Sequence, residues 1–506
     1  MESAPEFSKR GIFYHIFVPF FCDSNGDGIG DLKGITNKLD YLNDGKGGGL
    51  GVKGIWLSPI HPSPSYHKYD VLDYYSVAPE YGTMEDFEEL VREAEKRGIA
   101  VLLDLVFNCT SERHPAFLYA CAHPDSPKAR MFWLEGNPDA RFLNRDAVWN
   151  TLPSWHKTEN GVSYIGIYSS VMPDLDFNCP ETRAECKKIA AFWLKKGVAG
   201  FRLDSAMHLY STSEVEEGVS HHAKNIEWWS EFRDYCRSLR PDCYLVGEVW
   251  DTPDIRALYY RGLDSSFHFY LGNEIADFLH GKLPAPLFSA RLENAYLCAR
   301  LTDENYTDSP FLGNHDMPRF AEELCPVDDE LKQAAAIFLT LEGTPFVYYG
   351  EELGMRADKS DTCPAYLPAD ALGRARTAFD WGEESGMCAQ RFTRGYRSES
   401  LLKQKTDKKS LYSFYRRLIP LRNASRALTF GRWNPFPCPD DHVFAYRMSC
   451  GAESVVLLHN ASSSPVRFPA ELDGKDYLDL MDETQTINTV KNKRTLQPRH
   501  SAIVYC

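Results

Sequence analysis

Apolar residues fall into short runs of strand length, separated by stretches in which apolar positions return every three or four residues. The first run, "GIFYHIFVPFF" (11–21), is followed by "LKGITNKLDYLND", where Leu32, Ile35, Leu39 and Leu42 keep helical spacing. A second run, "GVKGIWLSPI" (51–60), precedes "GTMEDFEELVREAEKRG", whose Phe87, Leu90, Val91 and Ala94 form one helix face. Thr83 with Asp86 three residues on resembles a capping box, and Gly98 supplies a C-terminal stop. "IAVLLDLVF" (99–107) is a third, almost uniformly apolar run. Strands this apolar, alternating with amphipathic helices, predict a parallel sheet covered on its outer face. Five more runs follow: "GVAGFRLDS" (197–205), "CYLVGEVW" (243–250), "DSSFHF" (264–269), "SPFLGNHD" (309–316) and "TPFVYYG" (344–350). That makes eight, the number that closes a (β/α)8 barrel.

Two regions break the rhythm. Between Cys109 and Phe177 the chain is rich in Pro, Asn, Trp and Tyr and has no clear helix repeat. An insertion there would overhang the C-terminal face of the barrel. After "SLYSFYRRLIPLRNAS" (410–425) come short alternating runs such as "HVFAYRM" and "SVVLLHN", which read as antiparallel strands. The expected organisation is a catalytic barrel over 1–108 and 178–425, an inserted domain over 109–177, and a β-sandwich over 426–506.

A length of 506 residues agrees with more than one domain. The net charge of −15 argues against a nucleic-acid partner, whose binder needs a basic surface. No apolar run reaches the roughly 20 residues that span a bilayer, so no membrane association is expected. The start, "MESAPEFSKRGIFYHIF", lacks the basic and apolar regions of a secretory signal. The fourteen cysteines form no C-x-x-C pair, which fits reduced, buried thiols in a cytoplasmic protein.

Candidate chemistry lies at the strand ends. Arg202 and Asp204 are two apart and point to the same side of their strand, with Phe201 and Leu203 opposite. An Arg beside an Asp in a barrel mouth holds the carboxylate ionised, as a nucleophile requires. Glu248 is flanked by Val249 and Trp250, an apolar setting that raises a carboxyl pKa and suits a general acid. His315 and Asp316 close the seventh run. Two carboxyls about 5–5.5 Å apart are the equipment of a retaining glycosidase. The stretch "CDSNGDGIGDLKG" (22–34) looks like an EF-hand loop, but position 12 counted from Asp23 is Gly34 rather than Glu.

The ordered set "DLVFNCT" (104–110), "MPDLDF" (172–177), "GFRLDSAMH" (200–208), "GEVW" (247–250) and "FLGNHD" (311–316) resembles the α-amylase family, glycoside hydrolase family 13, along nearly the whole chain. The resemblance implies Asp204 as nucleophile, Glu248 as acid/base and Asp316 as transition-state stabiliser. It also implies Arg202, His315, Tyr69 and His67 as substrate-site residues, with Tyr69 the stacking aromatic. No organic cofactor is implied. The opening loop resembles the calcium loop after the first strand in bacterial endo-acting α-amylases, with ligands from Asp23, Asn25, Asp27 and Asp31 and the carbonyl of Ile29. A second calcium in many amylases uses positions matching Asn108, Asp174 and the carbonyl of His208. One departure is Cys109, where the family usually has a sugar-binding His; the missing hydrogen bond should cost about 1–2 kcal/mol. Exo-acting relatives usually carry Asp where this chain has Tyr66, so "SYHKYDV" favours endo-acting α-1,4 hydrolysis of starch or maltooligosaccharides. Against this, "RARTAFDW" (374–381), with Arg376, resembles the α-glucosidase and trehalose-synthase branch. An α-glucosidase, a transglycosylase and, more remotely, a non-catalytic barrel subunit are the alternatives. A monomer is expected.

Overall fold

The structure is a computed structural model and describes residues 11–134, 154–210, 215, 218–323, 328–356, 375–382, 386–388, 399–482 and 495–506. Eight parallel strands make the barrel: β1 (Phe13–Ile16), β2 (Gly54–Leu57), β3 (Ala100–Leu105), β6 (Gly200–Leu203), β7 (Tyr244–Gly247), β8 (Ser265–Phe267), β9 (Thr307–Ser309) and β10 (Phe346–Tyr348). They pair in the order β10-β1-β2-β3-β6-β7-β8-β9, and a parallel bridge between Phe311 and Phe346 closes the ring. Alternation sorts the side chains. Phe13, Trp56, Leu102, Tyr244, Val246, Phe267, Phe311 and Phe346 fill the lumen, while Ile55, Val101, Phe201, Leu203 and Leu245 belong to the core shared with the helices. Gly54 makes room for this filling, because a Cβ there would lie 2.1 Å from the Phe13 ring.

Helix signals work locally. Met84–Lys96 starts in a complete capping box, with Thr83 N–H donating to Asp86 Oδ2 (2.8 Å) and Asp86 N–H to Thr83 Oγ1 (3.2 Å). The first predicted helix is split into Leu32–Asn37 and Leu39–Leu42.

One strand expectation is corrected. The seventh strand is Thr307–Ser309 rather than the apolar 309–316 run, so His315 and Asp316 sit on an irregular segment beyond it. Thr307, Asp308 and Ser309 are fully buried, and Asp308 is paired with Arg256 (2.5 Å) and His268 (3.1 Å). Those pairs hold its carboxyl well below the usual range despite burial.

The insertion follows β3. Among its described residues are a helix, Pro115–Ala122, which the sequence reading lacked, and a hairpin of β4 (Trp155–Lys157) and β5 (Ser163–Ile165). Residues 135–153 lie outside the described ones. The C-terminal domain has a five-stranded antiparallel sheet: β11 (Arg432–Pro435), β12 (Val443–Cys450), β13 (Glu453–Asn460), β17 (Ser501–Tyr505) and β15 (Tyr477–Asp479). One face, with Phe444, Tyr446, Leu457 and Ile503, joins the main core. The other, with Val456, Leu458 and Val504, packs with Val466 and Leu496 from the two-stranded ribbon β14 (Val466–Arg467) and β16 (Thr495–Leu496). No described helix is long and apolar enough to cross a membrane. The twelve described cysteines are all free, and most are buried.

Candidate active site

Toward the C-terminal ends of the strands the apolar filling gives way to ionisable groups. His15 on β1 stacks on Trp56 on β2, with ring centroids 3.5 Å apart, and the indole Nε1 donates to Asp104 Oδ2 at 3.1 Å. Asp104, two residues beyond Leu102 on β3, is therefore held inside the lumen. The family resemblance assigns it no role, although an acid on the lumen side of an apolar strand is a signal the sequence carries.

Arg202, on β6 and wholly buried, is the hub. Nη1 donates to both oxygens of Asp104 (2.8 and 3.0 Å) and to Asp204 Oδ1 (2.5 Å). Nη2 lies 2.9 Å from Glu248 Oε2. One guanidinium thus bridges three carboxyls from three adjacent strands. Burial pushes Asp104 up to about 6. Burial also pushes Asp204 well above the usual carboxylate range; Arg202 opposes this, while Glu248, Asp104 and Asp316 add to it. The sequence expectation that Arg202 would dominate is corrected, because the opposing carboxyls come from distant parts of the chain. The apolar setting expected for Glu248 is corrected too. Its Oε2 accepts from Ser205 N–H (3.0 Å) as well as meeting Arg202. Val249 is buried and Trp250 is 42% exposed, its indole stacked on Phe269 (4.6 Å, 13°).

Ser205 adopts a left-handed φ of 45°, unusual for a non-glycine residue. That turn sends its N–H to Glu248 while its hydroxyl donates to Asp204 Oδ2 (3.2 Å) and accepts from Tyr168 OH (2.7 Å). Tyr168 belongs to the insertion, so the insertion contributes to the site. Neither residue was singled out from sequence.

A second group faces the first. The Tyr69 hydroxyl bonds Asp104 Oδ2 (2.9 Å) and His315 Nε2 (2.6 Å), and the Tyr69 and His315 rings stack nearly parallel at 5.3 Å. His315 Nε2 also lies 3.0 Å from Asp316 Oδ2. Burial, reinforced by Arg376, Arg202 and His67, drives the His315 pKa well down, so the imidazole is neutral. With Tyr69 donating to Asp104, the network assigns the His315 proton to Nε2. Arg376 reaches Asp316 Oδ1 (2.8 Å), the His315 carbonyl (2.8 Å) and Tyr66 OH (2.6 Å). His67 is buried down to a pKa of about 4, and its Nδ1 accepts from Tyr69 N–H at 3.1 Å. Cys109 is wholly buried behind Tyr69, its Sγ 4.0 Å from the Tyr69 carbonyl, and burial raises its thiol pKa. The structure therefore brings together Asp204, Glu248 and Arg202, and separately His67, Tyr69, His315 and Asp316, with Asp104 joining the two groups.

The loop 23–31 lies beyond β1 and before the helix Leu32–Asn37. Asp23 accepts from the N–H groups of Asn25, Gly26 and Gly28 (3.0, 2.7 and 2.7 Å), and Asp27 from Ile29 N–H (2.8 Å). Asp31 accepts from Ser24 and Gly34 N–H, capping Leu32–Asn37. Gly26 and Gly28 take the positive φ that the winding requires. The donors are all hard oxygens with lone pairs to spare, a set that suits calcium. Among the described residues no three His, Cys, Asp or Glu side chains converge closely enough to hold a metal. Elsewhere, Asn108 Oδ1 and Nδ2 and Asp174 Oδ1 are buried without a hydrogen-bond partner, and burial raises Asp174 to about 8. Such orphaned oxygens fit a cation.

Residues 15–431 match the family model described as "Alpha amylase, catalytic domain". The chain belongs to the α-amylase family. As a member of glycoside hydrolase family 13, it is a glycosidase. It is 37% identical to "Alpha-amylase 3" of Dictyoglomus thermophilum over 98% of this chain and 93% of that protein. It is 28% identical to an oligo-1,6-glucosidase of Parageobacillus thermoglucosidasius over 90% of each. The solved α-amylase from H. orenii superposes with a TM-score of 0.86 at 36% identity, covering 98% of this chain and 99% of that one.

Proposed function

We propose that this enzyme hydrolyses α-1,4-glucosidic bonds of starch-type chains and maltooligosaccharides by double displacement with retention. The observation that carries the reading is the single guanidinium bridging Asp204 and Glu248 from neighbouring strands. Retaining glycosidases need their two carboxyls about 5–5.5 Å apart, and the shared guanidinium holds Asp204 and Glu248 on one side of the barrel mouth.

In this reading Asp204 attacks the anomeric carbon while Glu248 protonates the departing oxygen. The resulting glycosyl ester on Asp204 is opened by water, which gives its proton to Glu248. Three carboxyls around one cation cannot all ionise cheaply, so the cluster keeps one proton near neutrality. Asp316, held from two sides by His315 Nε2 and Arg376, accepts from sugar hydroxyls whose bonds strengthen as positive charge develops. Neutral His315 orients this carboxylate without adding charge. His67 and Tyr69 line the sugar site, one Tyr69 face already taken by His315.

Trp250, exposed two residues past Glu248 and stiffened by its stack on Phe269, offers an aromatic face to a longer chain and favours a polymeric substrate. A second reading, an exo-acting α-glucosidase or a transglycosylase, is favoured by Arg376, which lies in the site against Tyr66 and Asp316. We further propose structural calcium in the loop 23–31, held by the side chains of Asp23, Asn25, Asp27 and Asp31 and the carbonyl of Ile29. Calcium would there brace a barrel-rim loop and take no part in bond cleavage. A second cation at Asn108, Asp174 and the His208 carbonyl would tie the insertion to the barrel.

Product analysis separates the readings. Soluble starch, maltotriose, maltose and trehalose are incubated with enzyme and the products resolved by chromatography. Mixed oligosaccharides from starch support the endo reading. Glucose released alone, longer oligosaccharides from maltotriose, or trehalose from maltose would overturn it.

A further inference from the structure

The segment that carries Arg376 is fastened to the barrel at the carbonyls on either side of that residue. Arg319, 2% exposed, donates Nε to the Ala375 carbonyl at 2.8 Å and Nη1 to the Tyr349 carbonyl. Its guanidinium lies 4.5 Å from the ring centres of both Tyr348 and Tyr349. The Tyr349 hydroxyl, wholly buried beyond β10, donates to the Thr377 carbonyl at 2.5 Å. Between the two clamped carbonyls, Arg376 projects to Asp316, the His315 carbonyl and Tyr66. Arg319 itself follows Asp316 by three residues, so the segment 316–319 presents the carboxylate and also grips the segment that steers it.

We infer that Arg319 and Tyr349 are positioning residues that hold Arg376 against Asp316. The inference rests on the proposed role of Asp316. An arginine side chain loses rotamer entropy when fixed. Productive geometry tolerates displacements on the order of 0.5 Å. Anchoring the backbone on both sides of Arg376 limits its movement before substrate arrives, which is how preorganisation lowers a barrier. Arg319 suits the task because its planar fork serves carbonyls from two chain segments while its faces lie on aromatic rings, which an ammonium cannot do. The Tyr349 side chain has a single polar atom, its hydroxyl, which donates to the Thr377 carbonyl.

The test is a double-mutant cycle measured with a chromogenic maltotrioside, whose good leaving group keeps weak variants measurable. Tyr349→Phe removes one oxygen and is expected to lower kcat five- to tenfold with KM within twofold of the parent. Arg319→Lys is expected to lower kcat further, with some loss of melting temperature. In an Arg376→Ala background, Tyr349→Phe should change kcat less than twofold, because it acts through Arg376. Equal factors in both backgrounds would mean a general structural effect and overturn the inference. So would wild-type kcat in Tyr349→Phe alongside a crippled Asp316→Asn. An active Asp316→Asn would instead overturn the site reading on which the inference stands.

Discussion

Replacing Arg202 by Lys keeps the charge but removes the fork, and the structure sets the size of the loss. Arg202 serves four carboxylate oxygens: two of Asp104, one of Asp204 and one of Glu248. An ammonium on a shorter reach keeps the Asp104 side and gives up the contacts to Asp204 and Glu248. Hydrogen bonds to charged groups contribute about 1.5–3 kcal/mol each, so about 3–6 kcal/mol of local organisation goes. If half of that is expressed in the transition state, the rate falls by about 10- to 150-fold, at 1.36 kcal/mol per tenfold. Arg202 lies beneath the carboxyls and is fully buried, so the loss should fall on kcat while KM changes little. Initial rates on a chromogenic maltotrioside measure both parameters, with circular dichroism melting as a check on folding. A folded Arg202→Lys enzyme with kcat within threefold of the parent would refute the view that this guanidinium organises the two acids.

Two further outcomes follow from other parts of the molecule. Trp250→Ala should raise KM for maltoheptaose about five- to tenfold, the effect of losing roughly 1–1.5 kcal/mol of ring contact, and leave a short chromogenic glucoside within twofold; equal effects on both substrates would remove Trp250 from substrate binding. Chelation with EGTA should lower the melting temperature on the order of 5 °C and calcium should restore it, as mass action on a folded-state site requires; an unchanged melting temperature, with no calcium found by elemental analysis, would remove the metal from the account.

The eight-strand rhythm and the insertion point were legible because buried parallel strands are uniformly apolar and their helices strictly periodic. The seventh strand was misplaced for the converse reason. Thr307, Asp308 and Ser309 are polar yet buried, with Asp308 paired to Arg256 and His268 and Ser309 bonded to Ser265, so no local hydrophobic signal marks them. The acids themselves were visible at strand ends, but their electrostatics were not. Arg202 is two residues from Asp204 and easily seen. The burial and the carboxyls of Asp104, Glu248 and Asp316 that outweigh it arrive from other strands. Glu248 misled in a different way: its apolar sequence neighbours point elsewhere, Val249 into the core and Trp250 toward solvent. Ser205 and Tyr168 gave no sequence signal, since one matters through its backbone φ and the other through how the insertion folds back.

The central claim, that Asp204 forms a covalent bond to the sugar while Glu248 supplies and recovers the proton, is tested most directly by trapping. A 5-fluoro-α-glucosyl or maltosyl fluoride should form its ester quickly and lose it slowly, since the fluorine disfavours the positively charged transition state of hydrolysis. Peptide mass spectrometry of the inactivated enzyme should then place one glycosyl adduct on Asp204, and Glu248→Gln should slow turnover without moving the label. An adduct on Glu248 or Asp104, or turnover with inverted anomeric configuration and no adduct, would contradict it.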